Sequence, residues 1–305
     1  MADVTFTAPQ SNPAQGAVLM ALAVLVFAFM DATTKHMAMT YAVPLVVAVR
    51  YAGNLILMLA IFGPKQGRAL WRIQRRGLVV VRAGCLAASS LFAALAFQRM
   101  PVAETLSIVF LAPFGVMLLA GPLLGEKVGP LQWAAATAGF AGVLLIVRPG
   151  SGLDPIGVLF AMLTAGASMV YNLLSRSLAR SETTLALMFW TALIGTLAFG
   201  VTLPWTLPAA MPNAIDLGLF GALGALATLG HLLFTQSCRT APASVIAPVN
   251  YLQLVWAGLL GWLVFDHVPD HVALVGLTLI VLGGISAGVW PIVAPRLASR
   301  ASISP

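Results

Sequence analysis

Residues 16–38, GAVLMALAVLVFAFMDATTKHMA, and residues 157–179, GVLFAMLTAGASMVYNLLSRSLA, decide the fold between them. Each is a mostly apolar run of about 20 residues, the length an α-helix needs to cross a hydrocarbon core of about 30 Å. They stand 141 residues apart, and the same shift carries the rest of the chain onto itself. Leu22 falls on Leu163, Gly77 on Gly218, Leu91 on Leu232, Pro101 on Pro242 and Gly142 on Gly283. It also places Asp31 on Asn172 and Lys35 on Arg176.

Working outward, apolar segments of spanning length read at 16–38, 43–62, 78–97, 102–124, 130–147, 156–178, 183–203, 215–237, 243–264 and 271–290. The shift aligns five of them with the other five. A barrel would show shorter strands alternating apolar and polar, so the fold class is an all-α integral membrane protein of ten transmembrane helices. Composition agrees: of 305 residues 60% are hydrophobic and 8% charged, and the mean hydropathy is +0.97. A chain so poor in charge has no residues to cover a soluble domain, where about 25% charged is usual. The first 34 residues contain no Lys or Arg, so the first segment reads as a retained helix rather than a signal peptide.

The net charge of +7 orients helices instead of binding nucleic acid. Lys65, Arg68, Arg72, Arg75 and Arg76 follow the second span, and the positive-inside rule puts them in the cytoplasm. Both termini then lie inside, with Lys35, Arg99 and Arg148 at the outer end. Five helices per half is an odd number, so the second half enters the membrane inverted. The expected organisation is a tail at 1–15, one repeat at 16–149, its inverted copy at 150–292 and a tail at 293–305. Inverted repeats of this kind build secondary transporters, with the substrate near the midplane where the halves meet. A lone chain suffices for that, and the oligomeric state stays open.

Ionisable residues inside spans ask for a reason. Asp31 and Lys35 stand one turn apart, Arg50 lies two turns into the second helix, and Glu104 begins the fourth beside Arg99. They read either as a polar vestibule open to the outside or as neutralising pairs, Asp31 with Lys35 or Arg50 and Glu104 with Arg99. Arg82, near the inner end of its helix, reads as snorkelling to the headgroups. Depth arithmetic places Ser89, Ser90, Ser168, Asn172, His231, Asn250 and Gln253 where a ligand would need hydrogen-bond partners. Phe27, Met30, Phe92, Phe110, Tyr171, Tyr251 and Trp256 supply candidate walls. Taken singly, each reads as helix packing before it reads as a ligand contact; the case for a site rests on the group. Pro113 and Pro248 interrupt the fourth and ninth helices and are candidate hinges. Neither a cofactor nor a metal is expected, since the spans hold no cluster of ligating residues.

The stretch Pro101-Val-Ala-Glu-Thr, then Phe-Leu-Ala-Pro113-Phe, Leu-Leu-Gly-Glu126-Lys and Ala-Gly-Phe-Ala-Gly-Val-Leu-Leu-Ile146 resembles the helix 4 to helix 5 signature of EamA-type exporters in the drug/metabolite transporter superfamily. A weaker copy follows Pro242. The resemblance implies an exporter of small metabolites in the cytoplasmic membrane, with the aromatic-amino-acid (YddG-type) exporters the nearest likeness. Amino acids are thus the expected substrate, because uncharged amide, imidazole and hydroxyl groups can hold a zwitterion. Few fixed charges argue against a dianion. A multidrug or nucleotide-sugar carrier of the same superfamily is the alternative within transport. An intramembrane enzyme would need a nucleophile with an oriented base, and a channel would need rings of like charge; neither pattern is present.

Overall fold

The computed structural model describes residues 13–124, 130–148, 152–178, 181–241, 249–283 and 285–286. Pro248 and the tails at 1–12 and 287–305 lie outside the described residues. The first half holds α1 (Pro13–Thr40), α2 (Val43–Gln66), α3 (Arg76–Arg99), α4 (Val102–Val109), α5 (Leu111–Leu124) and α6 (Pro130–Val147). The second holds α7 (Pro155–Leu178), α8 (Thr184–Gly200), the single turn α9 (Leu203–Thr206), α10 (Ala214–Thr240), α11 (Leu252–Phe265) and α12 (His271–Gly283). Among the described residues there is no strand. Five helices are long and apolar enough to cross a membrane, and shorter apolar helices account for the remaining spans.

Helix contacts repeat across the halves. α1 packs on α10 as α7 packs on α3, and α2 meets α10 as α8 meets α3. Residue contacts follow the 141-residue shift. A side chain added at Gly16 would run into Ala241, and one added at Gly157 would meet Met100, the shifted counterpart of Ala241. Ser89 hydrogen-bonds Ser168 at 2.8 Å; their counterparts Gly230 and Phe27 are also in contact, the glycine leaving room for the ring. One packing solution is used twice.

The break between α4 and α5 falls at Phe110 (φ −69°, ψ 0°), three residues before Pro113, whose ring excludes the carbonyl four residues back and whose nitrogen has no proton to donate. Tyr251, the shifted counterpart of Phe110, likewise stands just before the next helical segment, as the N-cap of α11. The two rings touch, with centroids 5.1 Å apart. They anchor a core with Phe97, Phe114, Ile146 and Ile280. Gly142 and Gly276 let α6 and α12 cross backbone to backbone. Outward, Ile56, Val80, Leu159, Leu197, Val255 and Leu263 are exposed, an apolar girdle that suits acyl chains and would aggregate in water.

Candidate functional site

Between the halves lies a cavity of about 310 Å³. α1 contributes Phe27 and Met30, α2 Arg50, Tyr51 and Asn54, and α3 Arg82, Leu86 and Ser90. From the second half come Ser168, Tyr171 and Asn172 on α7, Met188 and Thr191 on α8, His231 on α10 and Gln253 on α11. Each polar stripe follows helical spacing. Arg82, Leu86 and Ser90 recur every four residues, and Arg50 and Asn54 stand one turn apart, so each set faces one way.

Eight of the residues expected at the midplane line this cavity: Phe27, Met30, Ser90, Ser168, Tyr171, Asn172, His231 and Gln253. His231 packs edge-on to Phe27, centroids 5.2 Å apart. Ser90 bonds the Tyr51 hydroxyl at 2.9 Å rather than meeting His231. The others point elsewhere. Ser89 is buried against Ser168. Phe92 stacks on Phe160. Phe110 and Tyr251 pack on each other in the core. Trp256 packs beside Ala28 and Leu260. Asn250 stands outside the lining. The reason is rotational: counting along a span gives depth, while the side of the helix depends on neighbours the sequence does not announce.

The charges depart further from expectation. Of the four vestibule candidates only Arg50 lines the cavity. Asp31 is buried and accepts a 2.9 Å hydrogen bond from the Gln253 amide, so its hydrogen-bond partner is neither Lys35 nor Arg50, although Arg50 stays within electrostatic reach. Lys35 donates to the carbonyls of Phe97 and Met100, 2.7 Å each, closing the C-terminus of α3, and its ammonium lies 5.3 Å from the Phe265 ring centre. Glu104 is buried and meets His267 Nε2 at 2.8 Å, while Arg99 pairs with Asp154 at 2.9 Å.

Arg82 does not snorkel. It is 6% exposed and donates Nε to Ser175 (2.7 Å), one terminal nitrogen to Thr191 (3.0 Å) and the other to the Tyr171 hydroxyl (2.8 Å). Its guanidinium also lies 4.4 Å from the Tyr171 ring centre. A desolvated guanidinium so held is a fixed positive potential. Among the described residues neither Arg82 nor Arg50 forms an ion pair. Sequence reasoning missed Arg82, Tyr51, Asn54 and Thr191 as lining residues; the i, i+4, i+8 run from Arg82 to Ser90 was the available signal.

At the end assigned to the outside, polar contacts cross between the halves: Arg99 with Asp154, Arg148 with Asp270 at 2.9 Å, Glu104 with His267, and Tyr41 with Asp216 at 2.6 Å. The Arg99 hydrogen bond holds the Asp154 carboxyl below the usual carboxylate range. The Ala273 amide, then Arg148, does the same for Asp270. At the other end Glu182 accepts from the backbone amides of Gln74 and Arg75, where α3 begins.

The chain matches the EamA-like transporter family over residues 14–148 and again over 155–288. It is 30% identical to a riboflavin transporter of Rhizobium johnstonii, with 92% of this chain and 94% of that one covered. It is 28% identical to a pseudopaline exporter of Pseudomonas aeruginosa, over 89% of this chain and 95% of that one. A solved crystal structure shares the fold, with a TM-score of 0.68 at 21% identity over 90% of this chain and 98% of the other. These relatives carry the names of other metabolites, so the likeness to aromatic-amino-acid exporters gains no support from them.

Proposed function

The chain belongs to the EamA-like transporter family, a multi-pass secondary transporter of small metabolites in the bacterial inner membrane, and from that premise we propose that it exports amino acids or related carboxylate-bearing metabolites. The observation that supports this reading is the pair of guanidinia, Arg50 and Arg82, lining a membrane cavity with no ion pair to either among the described residues. A positive charge in such a place is costly, and a substrate carboxylate offsets that cost each time it binds. Phe27, Met30, Tyr171 and Met188 then offer walls for an apolar or aromatic side chain. The cavity is the point that both halves touch, and rocking them about it would expose the substrate to either side in turn.

The volume, at the lower end of the range for ligand pockets of roughly 300–1,000 Å³, suits one small metabolite. Counterflow into proteoliposomes loaded with leucine, methionine, threonine, phenylalanine or riboflavin tests the reading. Stimulated exchange is expected for one or more of the amino acids, and exchange of none of them would refute it. Riboflavin represents a second reading, favoured by the aromatic lining and by the transporter at 30% identity. Its neutral ring system would be indifferent to Arg50→Gln, whereas a carboxylate would not.

A further inference from the structure

Within the cavity, Arg50 and Asn54 differ from their neighbours in what they leave unused. Four of the five N–H groups of Arg82 have fixed protein partners, counting a longer 3.4 Å bond to the Leu187 carbonyl. Arg50 contacts the Tyr51 ring at 5.4 Å from its centre, interacts with the Tyr51 hydroxyl and acts on Asp31 electrostatically, but forms no ion pair among the described residues. Asn54 lines the same cavity, and its side-chain oxygen is buried with no hydrogen-bond partner among the described residues. A buried carbonyl oxygen left unpaired is costly until a donor reaches it. The two residues are four apart on α2, which sets their Cβ atoms about 5–6 Å apart on one helix face.

We propose that Arg50 and Asn54 form a head-group subsite that reads an α-amino carboxylate. Arg50 takes the carboxylate through its planar fork, and the Asn54 amide oxygen accepts from the adjacent ammonium. A carboxylate and an amine on one carbon fit two such groups one helical turn apart. Asp31, fixed by the Gln253 amide, lies near enough for Arg50 to act on it electrostatically. The side chain of the substrate extends towards Phe27 and Tyr171, so the subsite fixes the head and tolerates the tail.

This subsite rests on the reading of the protein as an amino-acid exporter. Calorimetric titration of the purified full chain with three probes tests both separately: phenylalanine, its methyl ester, and 3-phenylpropanoate, which lacks the amine. Wild type should prefer phenylalanine to either analogue by about tenfold or more, the scale of one hydrogen bond to a charged group. Asn54→Ala should lose the preference over 3-phenylpropanoate and keep that over the ester; Arg50→Gln should do the reverse. Asn54→Asp should retain the amine preference and guards against a folding defect in the alanine variant. A wild type without these preferences, or variants that weaken all three probes alike, would overturn the subsite and leave the exporter reading standing. A wild type that binds leucine, methionine or threonine but not phenylalanine would overturn the subsite alone, and one that binds none of the four would overturn both.

Discussion

At the outer rim Arg99, Arg148 and Glu104 meet Asp154, Asp270 and His267, whereas in the cavity Arg50 and Arg82 form no ion pair among the described residues. The same side-chain chemistry is placed to opposite ends. At the rim, water and headgroups lower the cost of the Arg99–Asp154 and Arg148–Asp270 charges, buried Glu104 has His267, and a partner across the two halves turns each into a tie between them. In the cavity, a charge without a partner stays poised for something that arrives and leaves. Neutral packing would be cheaper there if the cavity had no ligand.

Breaking the cavity side of this comparison should have the largest effect. Arg82→Met removes the charge and leaves the Tyr171, Ser175 and Thr191 hydroxyls without their shared donor. A loss of stability on the order of 3 kcal/mol is expected from hydrogen bonds of this type, read as a lowered melting temperature together with abolished counterflow. Arg50→Gln should separate the two effects. Transport of carboxylate substrates should fall about tenfold to a hundredfold while the melting temperature falls far less than for Arg82→Met, because among the described residues no ion pair joins Arg50 to another helix.

Rim variants should do less. Glu104→Gln exchanges a charge-assisted hydrogen bond for a neutral one and should cost about 1–2 kcal/mol, measured by denaturation, with substrate binding unchanged. Asp154→Asn with Asp270→Asn should shift the melting temperature by no more than about 2 °C, since both carboxylates are solvated. Acidification should act on the same two ties. Both carboxyls are depressed in the folded protein, so their contribution is complete above the unfolded value near 3.9 and fades as pH falls through the lower folded values. The double variant should therefore lose less stability than wild type below about pH 4. An equal loss would mean that the rim ties are idle.

The fold was legible because the bilayer reduces it to counting. Apolar runs give the spans, and the shift that set Phe110 on Tyr251 and Gly16 on Gly157 describes contacts the structure makes. Depth was legible too, which is why Ser168, His231 and Gln253 meet in one cavity. Rotation was not. α3 is apolar around most of its circumference, so what separates inward Ser90 from Ser89, which faces α7, is its spacing from Arg82, and that arginine reads equally as a snorkelling one. Arg82 was misread because a long side chain six residues into a helix can reach either the headgroups or the interior; only the hydroxyls of α7 and α8 decide. Asn54 gave no sign at all, being one polar residue amid leucines, and its significance lies in a buried oxygen with no hydrogen-bond partner among the described residues.

Accessibility of the cavity from the two sides tests the account most directly. With Cys85 and Cys238 replaced, a single cysteine at Ser168 in oriented proteoliposomes can be challenged with a membrane-impermeant thiol reagent from each face. The account predicts labelling from both faces, with a saturating transported substrate slowing both. Labelling from one face alone, with or without substrate, would contradict a passage that opens alternately between the two halves.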